Sequence, residues 1–223
     1  MPQPFSLAAP RNAGMEMANG PAHSILRKPG LAILAMQCIA SWSHVERFML
    51  HMYVELAGGN KADAAAVYLS LDTRSAKSKV LNTLAARRLS DDNLKLFNAI
   101  SAVAKSAEKS RDKIAHWAWG TSEAIPDALL LMDPRTTVID DAEDADTRTT
   151  FLRENTYVYK EDDFKSIIDM NARIISFAHN FRFILRNHPA NAGGRLYDQL
   201  CREPEIAEKL DHQARRDRAA QSE

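Results

Sequence analysis

Apolar residues recur at three- and four-residue steps over two long stretches, and that periodicity confines the chain to helices packed on one another. From Leu31 to Ala57, the residues Leu34, Cys38, Trp42, Val45, Met49, Met52 and Leu56 share one side of a helix, which Gly58 and Gly59 end. From Glu161 to about Asn187 the same spacing carries Phe164, Ile167, Ile168, Ile174, Phe177, Phe181 and Leu185, until Pro189 stops it. Two shorter helical stretches lie between them, Lys61 to Leu71 and a second one capped by Thr73 or Ser75 that runs to about Leu89. Ser90, Asp91 and Asp92 begin a further long helix, because acidic side chains in a first turn suit the helix dipole. It reaches RDKIAHWAWG, with Gly120 as its expected close.

A helix with one apolar stripe is stable only when another element covers that stripe. The expected fold class is therefore mainly α, an antiparallel helical bundle with Trp42, Phe48, Ile100, Ile114 and Phe177 inside it. Ala128 to Met132 and Thr156 to Tyr159 read as two short strands, flanking a loop with Asp140, Asp141, Glu143, Asp144 and Asp146. They are expected to pair as a short accessory β-hairpin, inserted at about 127–160 with an acidic, mobile tip. Residues 1–30 contain Pro2, Pro4, Pro10, Pro21 and Pro29 and no sustained apolar period, so a flexible arm is expected there. Residues 31–188 form the helical domain and residues 189–223 a charged helical tail.

Lys and Arg together number 29, as do Asp and Glu, so no overall field draws the molecule to nucleic acid or to an anionic membrane. Only two cysteines occur, too few for a disulfide framework or a structural zinc cluster. The opening residues lack the charged start and apolar stretch of a secretory signal, and the run from Leu31 to Ala40 is too short to span a bilayer. A cytoplasmic protein with no membrane partner is expected. No glycine-rich phosphate loop and no nucleophile elbow is present. No glutamate stands three positions before a histidine, and His44 and His51 read as solvated side chains on a polar helix face. No metal and no cofactor is expected.

Charge is distributed locally instead. Between Thr73 and Lys113 stand ten basic residues, Arg74, Lys77, Lys79, Arg87, Arg88, Lys95, Lys105, Lys109, Arg111 and Lys113, against four acids. Such a face suits a phosphate backbone, with Arg74, Lys77, Lys109 and Lys113 as the candidate RNA contacts. Arg111 falls near the middle of an apolar stripe formed by Leu96, Ile100, Ala104, Ala107, Ile114 and Ala118. A guanidinium stays charged at any working pH, so its place there requires a carboxylate, a phosphate or a second subunit. Glu46 or Glu108 could supply the carboxylate and hold the arginine in a purely structural role. His116 follows five positions later, about 140° round a straight helix. Trp117 and Trp119 frame it in the sequence, and its structural alternative is a histidine donating to a helix-end carbonyl.

The segment Arg111-Asp112-Lys113-Ile114-Ala115-His116 resembles the signature of the HEPN superfamily: an arginine, often followed by a polar residue, then a histidine after four to six intervening residues. The same spacing recurs at Arg173 to His179 and Arg182 to His188, without the polar follower. Trp42 and Glu46, within SWSHVERF, are also similar to related bacterial sequences. The resemblance implies a helical bundle over residues 31 to 188 and a homodimer whose cleft holds the Arg–His pair. It further implies a metal-independent endoribonuclease with catalytic Arg111, His116 and Asp112, supported by Glu46 and Trp117. Many members are toxins or antiviral nucleases, so a toxin or phage-defence role and a cognate antitoxin are within its scope. Other members only bind RNA or protein, and a non-catalytic helical module is the alternative.

Overall fold

The computed structural model describes residues 2–17, 21–139 and 145–220. The helices are α1 (Phe5–Ala8), α2 (Pro21–Arg27), α3 (Pro29–Ala57), α4 (Lys61–Leu69), α5 (Arg74–Arg88), α6 (Asp91–His116), α7 (Ala145–Asn155), α8 (Glu161–Leu185), α9 (Arg195–Arg202) and α10 (Pro204–Ala220). The strands are β1 (Gln3–Pro4), β2 (Glu16–Met17), β3 (Ala118–Thr121), β4 (Ala128–Met132) and β5 (Thr156–Lys160). The fold is mainly α, as the periodicities require. Local chemistry sets several ends: Asn60 caps α4 by accepting from the Ala62 amide at 2.9 Å, and Thr73 caps α5 by accepting from Ala76 at 3.1 Å. Gly58 and Gly59 take φ of 69° and 68°, the left-handed turn that stops α3.

The chain divides into two units, Met1–Trp42 with Ala107–Met170, and Ser43–Ser106 with Asn171–Glu223. The first is built on an antiparallel sheet of order β1-β5-β4-β3-β2. The expected hairpin is present, with Leu130 opposite Val158 and Leu131 opposite Tyr157, but it is the centre of a five-stranded sheet rather than an accessory. All five residues of β4 are buried, which requires cover on both faces. Alternation divides them. Leu129 and Leu131 join Ala32, Ala35, Cys38, Ile114, Trp119, Tyr159 and Phe164 on one side, while Ala128 and Leu130 join Phe5, Ile125 and Val158 on the other.

Three expectations change here. Helix α6 ends at His116 rather than at Gly120, because Ala118–Thr121 gains strand partners on both edges. Gly120 has a β-sheet reason: a Cβ there would lie 2.5 Å from Met17 Sδ and 2.7 Å from the Glu16 carbonyl oxygen. The segment read as a flexible arm supplies both sheet edges and buries Phe5 completely. Arg153 holds it by donating to the carbonyls of Ala13 at 2.7 Å and Pro10 at 2.8 Å. Between β4 and β5 the chain forms a 3-10 turn (Pro134–Ile139) and α7, where a loop was expected. Asp140, Asp141, Glu143 and Asp144 of the expected acidic tip lie outside the described residues.

Among its described residues the second unit consists of helices joined by turns, with no strand. Met52, Leu81, Leu96, Phe97, Ile100, Ile174, Phe177 and Phe181 are buried in it. Phe97 meets Phe181 with ring centroids 6.2 Å apart. The charged tail is part of this packing, since α9 buries Leu196 and Leu200 and α10 buries Ile206. Arg173 pairs with Glu203 at 2.9 Å and also with Glu205. Of the five side chains expected inside, Trp42, Ile100, Ile114 and Phe177 are buried, while Phe48 is only half-buried.

Candidate active site

Helix α6 runs unbroken through Arg111 and Asp112 to His116, its last residue. Ile114 turns inward and is 1% exposed, which fixes the rotation of this last turn. Arg111 is consequently part-buried, with 21% of its side chain exposed, and its Nη1 donates to Asp112 Oδ1 at 3.0 Å. Its Nε is buried and has no hydrogen-bond partner among the described residues. Among the described residues, Arg111 thus pairs with the adjacent residue. Asp112 keeps 39% of its side chain in solvent, so the pair is only partly desolvated.

His116 is exposed. Because no bend intervenes, its side chain leaves the helix about 140° away from that of Arg111. At the same helix end, Trp119 Nε1 donates to the Ile114 carbonyl at 3.0 Å. Trp119 therefore belongs to the core of the sheet rather than to a frame around the histidine.

Trp117 differs from Trp119. It is half-buried, rests on the core on one side, and lies against Tyr157 of β5 with ring centroids 5.7 Å apart, tilted at 47°. Lys113 Nζ sits 4.8 Å from the centroid of each ring. Burial pulls the Lys113 ammonium below the ordinary lysine range, opposed by Asp133 and helped by Lys109. Lys109 is exposed one turn earlier on the same side of α6. Tyr157 was not legible as a site residue. Its alternation with Tyr159 places both on one sheet face, but only the pairing of β5 with β4 and β4 with β3 brings it to Trp117.

Arg111, Asp112, His116, Lys109, Lys113 and Trp117 thus belong to the first unit, whereas Arg74, Lys77 and Glu46 belong to the second. There, Arg74 pairs with Glu46 at 3.3 Å, both largely exposed, and Lys77 Nζ lies 5.8 Å from the Tyr68 ring. No group of three or more His, Cys, Asp or Glu among the described residues could hold a metal ion, and no helix among them is long and apolar enough to cross a membrane. No family model, curated protein or solved structure matches this chain.

Proposed function

We propose that this chain is a metal-independent endoribonuclease of the HEPN type that works as a homodimer, with Arg111 and His116 as its reacting pair. The observation that carries the reading is the state of Arg111: a part-buried guanidinium that donates through Nη1 to its half-solvated neighbour Asp112, with a buried Nε that has no hydrogen-bond partner among the described residues. A cation held in this way has donors left for a phosphoryl group. In the reaction, the ribose 2′-oxygen attacks the adjacent phosphorus as the bond to the 5′-oxygen breaks, giving a cyclic phosphate and a free 5′-hydroxyl. His116, open to solvent at the helix end, takes the proton from the 2′-hydroxyl or returns one to the leaving oxygen. Arg111 stabilises the charge that grows on the phosphoryl oxygens, while Asp112 orients it.

Divergence of the two side chains round α6 argues for the second copy, since Arg111 of one protomer and His116 of the other could then flank one phosphate. The resemblance extends the proposal to a cytoplasmic toxin or phage-defence nuclease held in check by an antitoxin. A non-catalytic RNA-binding module is the second reading. Lys113 over Trp117 and Tyr157 favours it, because a cation beside partly exposed rings binds phosphate and base without any chemistry.

Incubating single-stranded RNA with the wild type, His116→Ala and Arg111→Ala in EDTA tests both readings. Cleavage by the wild type, lost in both variants, supports the nuclease. Binding without cleavage in all three leaves the second reading, and absence of both overturns the pair.

A further inference from the structure

In the second unit, one carboxylate serves two guanidiniums. Glu55 of α3 accepts from Arg182 Nη2 at 3.2 Å and from Arg186 through the same oxygen, Oε1. Arg182 and Glu55 are nearly buried, with 14% and 13% of their side chains exposed, while Arg186 keeps 39%. Arg182 Nε is buried without a hydrogen-bond partner among the described residues. Arg47, one turn before His51 on α3, is exposed. Holding two helices together needs one such pair, and here the second arginine adds charge that Glu55 does not cancel.

Aromatic rings and imidazoles line the same place. Phe48 faces His51 at 6.0 Å and His179 at 6.1 Å between centroids, and His179 meets Phe183 at 4.5 Å, which stacks on His188 at 4.3 Å. Burial first, then Arg182, Arg47 and Arg186, push the His51 pKa down against the single opposing pull of Glu55. Burial is the largest of these causes, and the three guanidiniums act in the same direction.

We infer that Arg186, Arg182, Arg47 and His51 form a second anion site on this chain, for a phosphoryl group carried by a small phosphate ester or by a nucleic-acid backbone, with Glu55 as its internal competitor. Arg186 and Arg47 are the accessible donors, and Arg182 is the buried one that Glu55 holds in line. A phosphate monoester dianion replaces one carboxylate charge by two and offers three acceptor oxygens to the guanidinium forks, whereas each backbone phosphodiester offers one charge and two non-bridging oxygens. The site is independent of Arg111 and His116, so neither its presence nor its absence decides the nuclease reading.

Titration of the full chain with pyrophosphate, and separately with a short single-stranded RNA, tests the inference by calorimetry and by NMR of His51. Arg186→Ala should weaken pyrophosphate binding by about tenfold, as loss of one charge-assisted fork does. Glu55→Gln should strengthen it, an effect that a purely structural ion pair does not produce. Bound anion should raise the His51 pKa. Should Glu55→Gln not fold, Arg47→Ala, on an exposed side chain, replaces it with an expected loss of affinity. RNA binding that depends on Arg186 where pyrophosphate does not bind identifies the backbone as the source; pyrophosphate binding alone identifies a small ester. Binding of neither, or affinities and a His51 titration unmoved by these substitutions and by the anion, overturns the site.

Discussion

Trp119 Nε1 donates to the carbonyl of Ile114 at 3.0 Å, which ties β3 to the last turn of the helix carrying Arg111 and His116. Phenylalanine at 119 would keep most of the ring and strand the carbonyl. The expected cost is about 1–3 kcal/mol, the range for a buried group left unsatisfied. Urea unfolding measures it, and a change below about 0.5 kcal/mol would show that the tie contributes little.

His116→Ala should leave unfolding within about 0.5 kcal/mol of wild type, because the side chain is exposed. On the proposed nuclease reading its effect should fall on chemistry, as a loss of about 100- to 10,000-fold in RNA cleavage of the size that removal of a proton-transfer group produces. Single-turnover rates at saturating enzyme distinguish this from weakened binding.

Arg111→Ala should abolish cleavage while changing stability by less than about 1 kcal/mol, since the carboxylate it leaves behind is 39% exposed and can be hydrated. Arg111→Lys keeps the charge without the fork, and partial activity is expected. A loss of several kcal/mol in either variant would mark the arginine as a structural ion pair.

Gly120→Ala should detach the edge of the sheet. The added Cβ would meet the Glu16 carbonyl at 2.7 Å, a backbone atom that cannot swing aside. A cost of about 1–3 kcal/mol is expected for such overpacking. Hydrogen exchange should rise at Glu16 and Met17, and unchanged protection there would contradict the clash.

Stability should fall as pH drops below the ordinary histidine pKa of 6.5, in part through His51. Its folded pKa lies below that value, so between the two the unfolded chain binds the extra proton, and the folded state loses ground as pH falls; below the folded pKa the slope ends. Arg47, Arg182 and Arg186 oppose the imidazolium and Glu55 favours it. His51→Gln should flatten this part of the stability–pH curve, and parallel curves for the two proteins would remove His51 as its source.

Helix positions were legible because a stripe repeating every three or four residues survives without knowledge of neighbours. The second helix was placed at Lys61 to Leu71 against Lys61–Leu69, and the first at Leu31 to Ala57 against Pro29–Ala57. Turn chemistry at Thr73 and Gly58 acts over a few residues and was equally readable. The N-terminal strands were not, because Gln3–Pro4 and Glu16–Met17 are two residues each and carry no period. They exist only through pairing with strands more than a hundred positions away, with Phe5 as the anchor.

By itself the sequence determined the mainly α class, the strand pair Ala128 to Met132 with Thr156 to Tyr159, and the anomaly of Arg111 in an apolar stripe, all of which follow from residue type and local spacing, while the candidacy of His116 came with the resemblance of RDKIAH to a family signature. Only the tertiary structure decided how deeply Arg111 is buried and that Asp112 meets it, because both depend on what packs round the end of α6. It also decided that Trp119 enters the core, while Trp117 remains half-exposed with Tyr157 and Lys113. The two tryptophans are two positions apart, but a helix ends and a strand begins around them, and that change of backbone sets which ring is buried.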